Sequence, residues 1–321
     1  MLVLGAFTSI IGELVEYITL FFASSIAGLF IACLLNEGGV MRCIEDAVKA
    51  LLKPVGLPTF LTPAVVSAMV NAYRAEHMII YDYYTRGYLS DNEIIFYVLA
   101  SGYLRGFGAL LHVGPIILAA LGPILGAEYL TLLYVRYLLT SIMGLIYGRI
   151  KRIRIEGRDY IESVDDSDAM RLSRKCFTRS IKVTLRVLPR FAVIIVVVLT
   201  LEFAGAFTLL TNYVVKVIGP LSTLLSPAAI TVLTTAIISP SSAYFAGSSL
   251  LSRGLLSTKT LIISLLLGST IGGLTIGLTR HSLPFYLSIY PSRLAVKIAL
   301  AQAIADAISL VLIIMVIMMI M

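Results

Sequence analysis

Apolar stretches long enough to cross a bilayer recur along the whole chain, and no other feature restricts its fold as much. A helix rises about 1.5 Å per residue, so roughly 20 apolar residues cover a hydrocarbon layer about 30 Å thick. Runs of that order stand at residues 17–35, 61–81, 94–121, 124–147, 187–210, 221–251, 261–278 and 294–321. They predict an all-α, polytopic transmembrane helix bundle of about eight hydrophobic segments. The second and sixth runs are interrupted by polar residues and proline, so each reads as a broken or re-entrant helix rather than one clean crossing. With 59% hydrophobic and only 13% charged residues, against about 25% charged in soluble domains, the chain has more apolar surface than a soluble core can bury. The expected location is the cell membrane, as a multi-pass protein. The N-terminus MLVLGAFTSI has no basic n-region or cleavage pattern, so the first segment reads as retained.

The formal charge of +7 follows topology rather than nucleic-acid binding, because 12 of the 25 Lys and Arg residues fall between Arg149 and Arg190, beside six acids. Basic residues flanking spans stay in the cytoplasm. This divides the chain into a first membrane half (1–148), a basic cytoplasmic linker (149–186) and a second membrane half (187–321). Within the linker, Asp165 to Asp168 (DDSD) suits an N-cap, and the basic run after it suits the helix that follows. Residues Val40 to Pro54 alternate apolar and charged positions as an amphipathic helix does, at the lipid interface or packed on the bundle.

The two halves share an internal repeat. LPTFLTPAV (Leu57 to Val65) aligns with LSTLLSPAA (Leu221 to Ala229), five of nine positions being identical, at an offset of 164. RGYLSDNEI (Arg86 to Ile94) matches RGLLSTKTL (Arg253 to Leu261) at 167, and HVGP (His112 to Pro115) faces HSLP (His281 to Pro284) at 169. Three matches in one order, with slowly drifting offset, indicate duplication. In each half a Thr-Pro or Ser-Pro opens an apolar helix, proline being tolerated in its first turn. Polar residues interrupt both helices further on: Asn71, Arg74, Glu76 and His77 in one, Ser239, Pro240, Ser241 and Ser242 in the other. Such breaks at membrane depth either build solute and ion sites or are kinks satisfied by their own hydroxyls.

Charge inside a span is costly and faces a partner or a water-filled cavity, which singles out Arg74, Glu76, Arg105, Glu128, Arg136, Glu202 and Asp306. On that ground Asn71, Arg74, Glu76, Ser239, Ser241 and Ser242 are candidate cavity residues, and Glu76 and Asp306 candidate coupling-ion carboxylates. Arg74 and Glu76, two apart, point in different directions and should pair with other helices. Asp306 competes with an alternative role as partner of Lys297 or an arginine, and Arg136 and Glu128 read as snorkelling residues near a span end. Glycines at 102, 106, 108, 268, 272, 273 and 277 read as helix-packing positions. Three cysteines without CxxC or Cys/His spacing, Cys33, Cys43 and Cys176, suggest neither a disulfide framework nor a zinc site. No enzyme motif is present, and three scattered histidines make no metal cluster, so neither catalysis nor a cofactor is expected.

At the repeated unit, Ser226 to Gly273 and its counterpart Thr62 to Gly108, the sequence resembles the Gate-domain, or nucleoside-recognition, membrane proteins. Proteins of this family carry a helix broken by Ser-Pro or similar residues, an xRGxLS turn and a glycine-bearing span. Gate domains occur in concentrative nucleoside transporters, in the membrane part of ferrous-iron transporters and in spore-maturation proteins, and stand-alone two-Gate proteins occur in archaea. The resemblance implies a duplicated permease core whose Ser239 to Ser242 break matches the solute-facing loop. There is no GTPase domain, and NAYRAEH in the first half stands where the second has SPSSAY, which makes any site asymmetric. The expected function is a permease for a small polar solute or ion, nucleoside-like or metal, using alternating access of the two halves. The alternative is a membrane scaffold or signalling protein acting through the basic linker. Expected partners are the bilayer, the solute, and further copies or another membrane subunit, with no nucleic acid.

Overall fold

The computed structural model describes residues 2–37, 48–155, 169–218 and 225–320, and the described residues hold helices and no strands. Residues 40–47 of the amphipathic segment, 156–168 of the linker with its DDSD run, Cys43, and 221–224 of the second repeat lie outside them.

Helices α1 (Leu2–Glu37), α2 (Thr62–Met69), α3 (Tyr73–Thr85), α4 (Asp91–Ala100), α5 (Gly102–Leu121) and α6 (Pro123–Ile150) precede the linker. After it come α7 (Ala169–Phe203), α8 (Ala206–Ile218), α9 (Pro227–Ile238), α10 (Pro240–Ser252) and α11 (Thr258–Gly272). A π-helical stretch (Gly273–Ser282), α12 (Leu283–Ile289) and α13 (Ser292–Ile320) complete the chain.

Six of these helical stretches are long and apolar enough to cross a membrane, rather than the eight segments expected: Gly12–Leu34, Gly102–Leu121, Pro123–Ile150, Met170–Phe203, Thr258–Ile289 and Ser292–Met319. Between 22% and 44% of each most apolar window is buried inside the protein. Outward-facing residues of these stretches include Ile124, Val193, Val197 and Met319. Apolar surface on that scale belongs in lipid, and the protein is a multi-pass membrane protein. The two missing segments are the interrupted ones. The 61–81 run is split into α2 and α3, and residues Val48–Val55 and Thr59–Met69 form a pair bent by 116°. The 221–251 run is split into α9 and α10. Pro240 does not kink a continuous helix. It stands at the first turn of α10, where its missing N–H leaves nothing unsatisfied.

The repeated RGxLS string has a local mechanical meaning. In α3 the Tyr88 N–H donates to Tyr83 C=O (2.9 Å) and the Gly87 N–H to Tyr84 C=O (3.0 Å); in α10 Leu255 donates to Leu250 (3.0 Å) and Gly254 to Leu251 (2.9 Å). Both are Schellman C-caps, which need a left-handed residue, and Gly87 and Gly254 have φ of 76° and 70°. Leu89 and Leu256 are buried beside them, and Ser90 and Ser257 cap the next helix, α4 or α11. Arg-Gly-x-Leu-Ser is thus a helix stop, a hydrophobic anchor and a helix start within five residues.

A glycine seats each broken helix against its neighbour. A Cβ on Gly108 of α5 would lie 2.6 Å from Ala68 O, 2.7 Å from Met69 O and 2.9 Å from Asn71 N, and one on Gly272 of α11 would lie 2.5 Å from Ile237 O. The end of α2 rests on α5, and the end of α9 on α11, through backbone contact. Gly108→Val and Gly272→Val are each expected to cost about 1–3 kcal/mol as overpacking, read as a lowered midpoint in denaturant titration in micelles. Gly273, whose Cβ would meet nothing within 4 Å, should accept alanine with little change.

Helix α7 begins at Ala169, so the basic part of the linker is the N-terminal half of the helix that becomes the span. It lies along α1, with Phe21 stacked on Phe191 at 3.9 Å and Phe30 edge-on to Phe177. The structure corrects the cysteine reading: Cys33 of α1 and Cys176 of α7 form a disulfide across 143 residues of sequence. Spacing gave no sign of it, because antiparallel packing of two long helices brings the cysteines together. Helix α13 packs on α4, α6, α11 and α12, and α10 packs on α5, so the halves are interleaved rather than side by side.

Candidate solute site

The first break is built by a cap. Ala72 N–H donates to Ser67 C=O (2.8 Å) and Asn71 N–H to Ala68 C=O (3.0 Å), a Schellman motif with Asn71 as its left-handed residue (φ 59°). Asn71 itself is exposed. Asparagine tolerates this conformation and β-branched residues do not. Asn71→Gly should leave stability within about 0.5 kcal/mol, and Asn71→Val should cost about 1–2 kcal/mol, compared by thermal melting in detergent.

Beyond the break, α3 carries polar side chains into the interior. Glu76 and His77 have no solvent exposure. Glu76 Oε1 lies 3.5 Å from Arg105 Nε of α5 and accepts a hydrogen bond from the Tyr97 hydroxyl of α4 at 3.1 Å. Arg105 also donates to Val98 C=O and to the Ser101 hydroxyl, the latter at the junction of α4 and α5. The two residues two apart turn to different neighbours: Glu76 pairs with another helix, α5, as expected, whereas Arg74 borders a cavity and takes no partner helix among the described residues. His77 Nδ1 is 3.0 Å from the Tyr290 hydroxyl, and Tyr73 hydrogen-bonds Tyr286, which donates to Gln302 of α13. Glu76 Oε2 and His77 Nε2 are buried without a hydrogen-bond partner among the described residues. Buried polar atoms of this kind are costly, and hydroxyls of Ser25, Tyr129, Thr184, Ser264 and Ser309 share the condition, so the two stand out by their charge chemistry rather than by being unpaired.

Next to this cluster, between α1, α7 and the segment 280–285, lies a cavity of ≈ 220 Å³. Its polar side is Arg74, Glu202, Arg280, His281 and Ser282, and its apolar side includes Tyr17, Phe191, Ile195 and Phe285. Arg280 pairs with Glu202 and sits 5.8 Å from the centre of the Phe207 ring. Tyr73 lines the cavity and touches the buried cluster, so the two form one polar system.

The second break lies elsewhere. Ser239 caps α10, accepting from the Ser242 N–H at 3.4 Å with the two hydroxyls 2.8 Å apart, and Ser241 and Ser242 are exposed. Among the described residues lining the cavity, none comes from 239–242. Asp306 pairs with Arg136 of α6 at 3.4 Å, so an arginine is the partner it takes. Asp306 stands one turn beyond Gln302, which joins α13 to the Tyr73 and Tyr286 chain. Of the candidate residues, the structure therefore brings Arg74 and Glu76 to one region, sets Asn71 in the break before α3 as a backbone cap, and leaves Ser239, Ser241 and Ser242 at the other break.

Sequence reading did not single out Tyr97, Tyr286 or Tyr290 as functional. A signal existed: Tyr73 and His77 are four apart on α3, and Tyr286 of α12 and its C-cap residue Tyr290 are four apart, so two polar aromatics from each segment meet in register. Arg105 and Glu202 stood out as charges in spans, but their partners did not. No group of three or more His, Cys, Asp or Glu suited to a metal occurs among the described residues.

The sequence is similar to three proteins of Methanocaldococcus jannaschii. Uncharacterized protein MJ1556 is 27% identical over 272 residues, 83% of each chain. Uncharacterized protein MJ0880 is 23% identical over 295 residues, 87% of this chain and 90% of the relative. Uncharacterized protein MJ0871 is 23% identical over 277 residues, 83% and 82%. Matches of that length reach both membrane halves. No family model matches the chain, and no solved structure matches it.

Proposed function

We propose that the protein is a cell-membrane permease for a small polar solute or ion, working by alternating access of two related, Gate-like halves. One observation carries this reading: Glu76, with no solvent exposure, stands just after a helix break and beside a cavity, paired with a largely buried Arg105 of α5. A buried ion pair adds little stability over apolar residues of the same volume, so its presence here is better explained by charge that must move or be exchanged. Broken helices with ion-handling residues at their ends are how duplicated transporters make such sites. The matched Schellman turns and glycine seats of the two halves support duplication, and the orphaned Glu76 oxygen supports this carboxylate over Asp306 as the coupling group.

Flux into proteoliposomes tests the reading, with nucleosides, divalent metals and small anions each offered with and without a proton or sodium gradient. Flux of one class is expected, falling at least about tenfold in Glu76→Gln, the order of effect that loss of a positioned acid–base group produces. Absence of flux for all three classes would overturn it.

A second reading, a scaffold or signalling protein acting through the basic linker, has its own support in the basic groove that Arg174, Thr178, Lys182 and Arg186 of α7 form with Thr85 and Arg86. It requires binding of an anionic partner there, unaffected by changes at Glu76.

A further inference from the structure

We infer that the cavity between α1, α7 and the 280–285 segment is a binding site for a small anion with an apolar body, a carboxylate or phosphate monoester carrying an alkyl or aromatic group. Resting on the permease reading, this ligand is the transported solute.

The charges at the cavity's polar end do not balance. Glu202 answers Arg280, and Arg74 has no hydrogen-bond or ion-pair partner among the described residues. His281 and Ser282 stand on the same side and add donors rather than a second carboxylate. A guanidinium in a half-enclosed, largely apolar space loses hydration and is offset best by an anionic ligand, which it can meet with two parallel N–H bonds. Arg74 also lies in the first turn of α3, a 13-residue helix whose leading N–H groups favour negative charge.

The opposite wall selects the rest of the ligand. Tyr17, Phe191, Ile195 and Phe285 present aromatic and aliphatic faces, against which a fully hydrated ion would lose its water shell without compensation. The volume, ≈ 220 Å³, is several times the roughly 30 Å³ that a water occupies in the liquid. It suits a solute of small organic size and is too large for a bare metal ion. The adjoining stretch is π-helical from Gly273 to Ser282, and π segments concentrate at functional positions because they displace side chains from regular helical register.

The test is binding to the full-length protein in nanodiscs of zwitterionic lipid, measured by calorimetry with 4-phenylbutyrate and phenyl phosphate. The neutral 4-phenylbutyramide and the cationic 4-phenylbutylamine serve as controls. We expect an anion to bind about tenfold or more above the amide, as a charge-assisted pair provides, and the amine to be excluded. Arg74→Gln should abolish that preference and Arg74→Lys should keep part of it, retaining the charge but not the two parallel N–H bonds, which separates charge recognition from a folding defect. Equal binding of anion, amide and amine, or a preference that persists in Arg74→Gln, would overturn the site. Discs containing phosphatidic acid identify the source of the anion. Loss of phenylbutyrate binding there assigns the site to a lipid headgroup and overturns the solute assignment, and unchanged binding supports a soluble ligand. Arg74-dependent binding without flux in any assay would sink the permease reading and leave the site standing.

Discussion

Arg105→Ala is expected to destabilise the protein by about 3–5 kcal/mol, the usual cost of removing one partner from a buried ion pair. The variant leaves Glu76 with no solvent exposure and, of its described partners, only the Tyr97 hydroxyl at 3.1 Å. It also strips hydrogen bonds from Val98 C=O and Ser101, where α4 passes into α5. The double variant Arg105→Met with Glu76→Gln removes both charges while keeping volume, and should recover most of the loss, because the dominant penalty is the uncompensated charge rather than the missing contact. Denaturant titration of the single and double variants in one micelle system gives the coupling directly. A double variant as unstable as Arg105→Ala would mean that α5 depends on the guanidinium for packing and not for charge.

The second large effect is expected at the α1 and α7 pair. Cys33→Ser or reduction should cost about 2–4 kcal/mol, the typical contribution of a native disulfide. The loop it closes is long, 143 residues, which in the chain-entropy account favours the upper part of that range. Residual helix in the membrane-bound unfolded state lowers it. Both cysteines are buried, so the bond should resist mild reductant until the helices separate. Thiol alkylation with and without prior reduction, followed by mass analysis, reads the bond, and thermal melting in detergent reads the cost. Alkylation of Cys33 and Cys176 in the unreduced, folded protein would refute it. Serine in place of Cys176 should match Cys33→Ser and add nothing to it, since either change removes the same link.

Several things could be read from residues alone, because bilayer physics acts on short sequence windows. Apolar runs of about 20 residues fixed the all-helical membrane class. Thr62-Pro63 and Ser226-Pro227 marked helix starts, and the breaks near Asn71 and Ser239 were visible as polar interruptions. The repeated Arg-Gly-x-Leu-Ser string was recognisable as a unit, and its meaning as a Schellman stop followed by a serine cap depends only on neighbours within a few residues. Glu76, Arg105 and Glu202 were likewise legible as costly charges in apolar surroundings.

What each charge and thiol faces is a property of helices distant in sequence, and only the tertiary structure decided it. Glu76 meets Arg105 and Tyr97, Arg280 meets Glu202, Asp306 meets Arg136, and Cys33 meets Cys176. Periodicity places a residue on a face of its own helix, but the neighbour of that face is set by how the whole bundle packs. The same reason separates the two breaks: they share local chemistry of caps and glycine seats, yet Arg74 borders a cavity and Ser241 and Ser242 lie exposed at the other. Local rules are written within a few residues of each position, whereas a site requires side chains from α1, α3, α7 and the 280–285 segment to converge, and no window of sequence contains all of them.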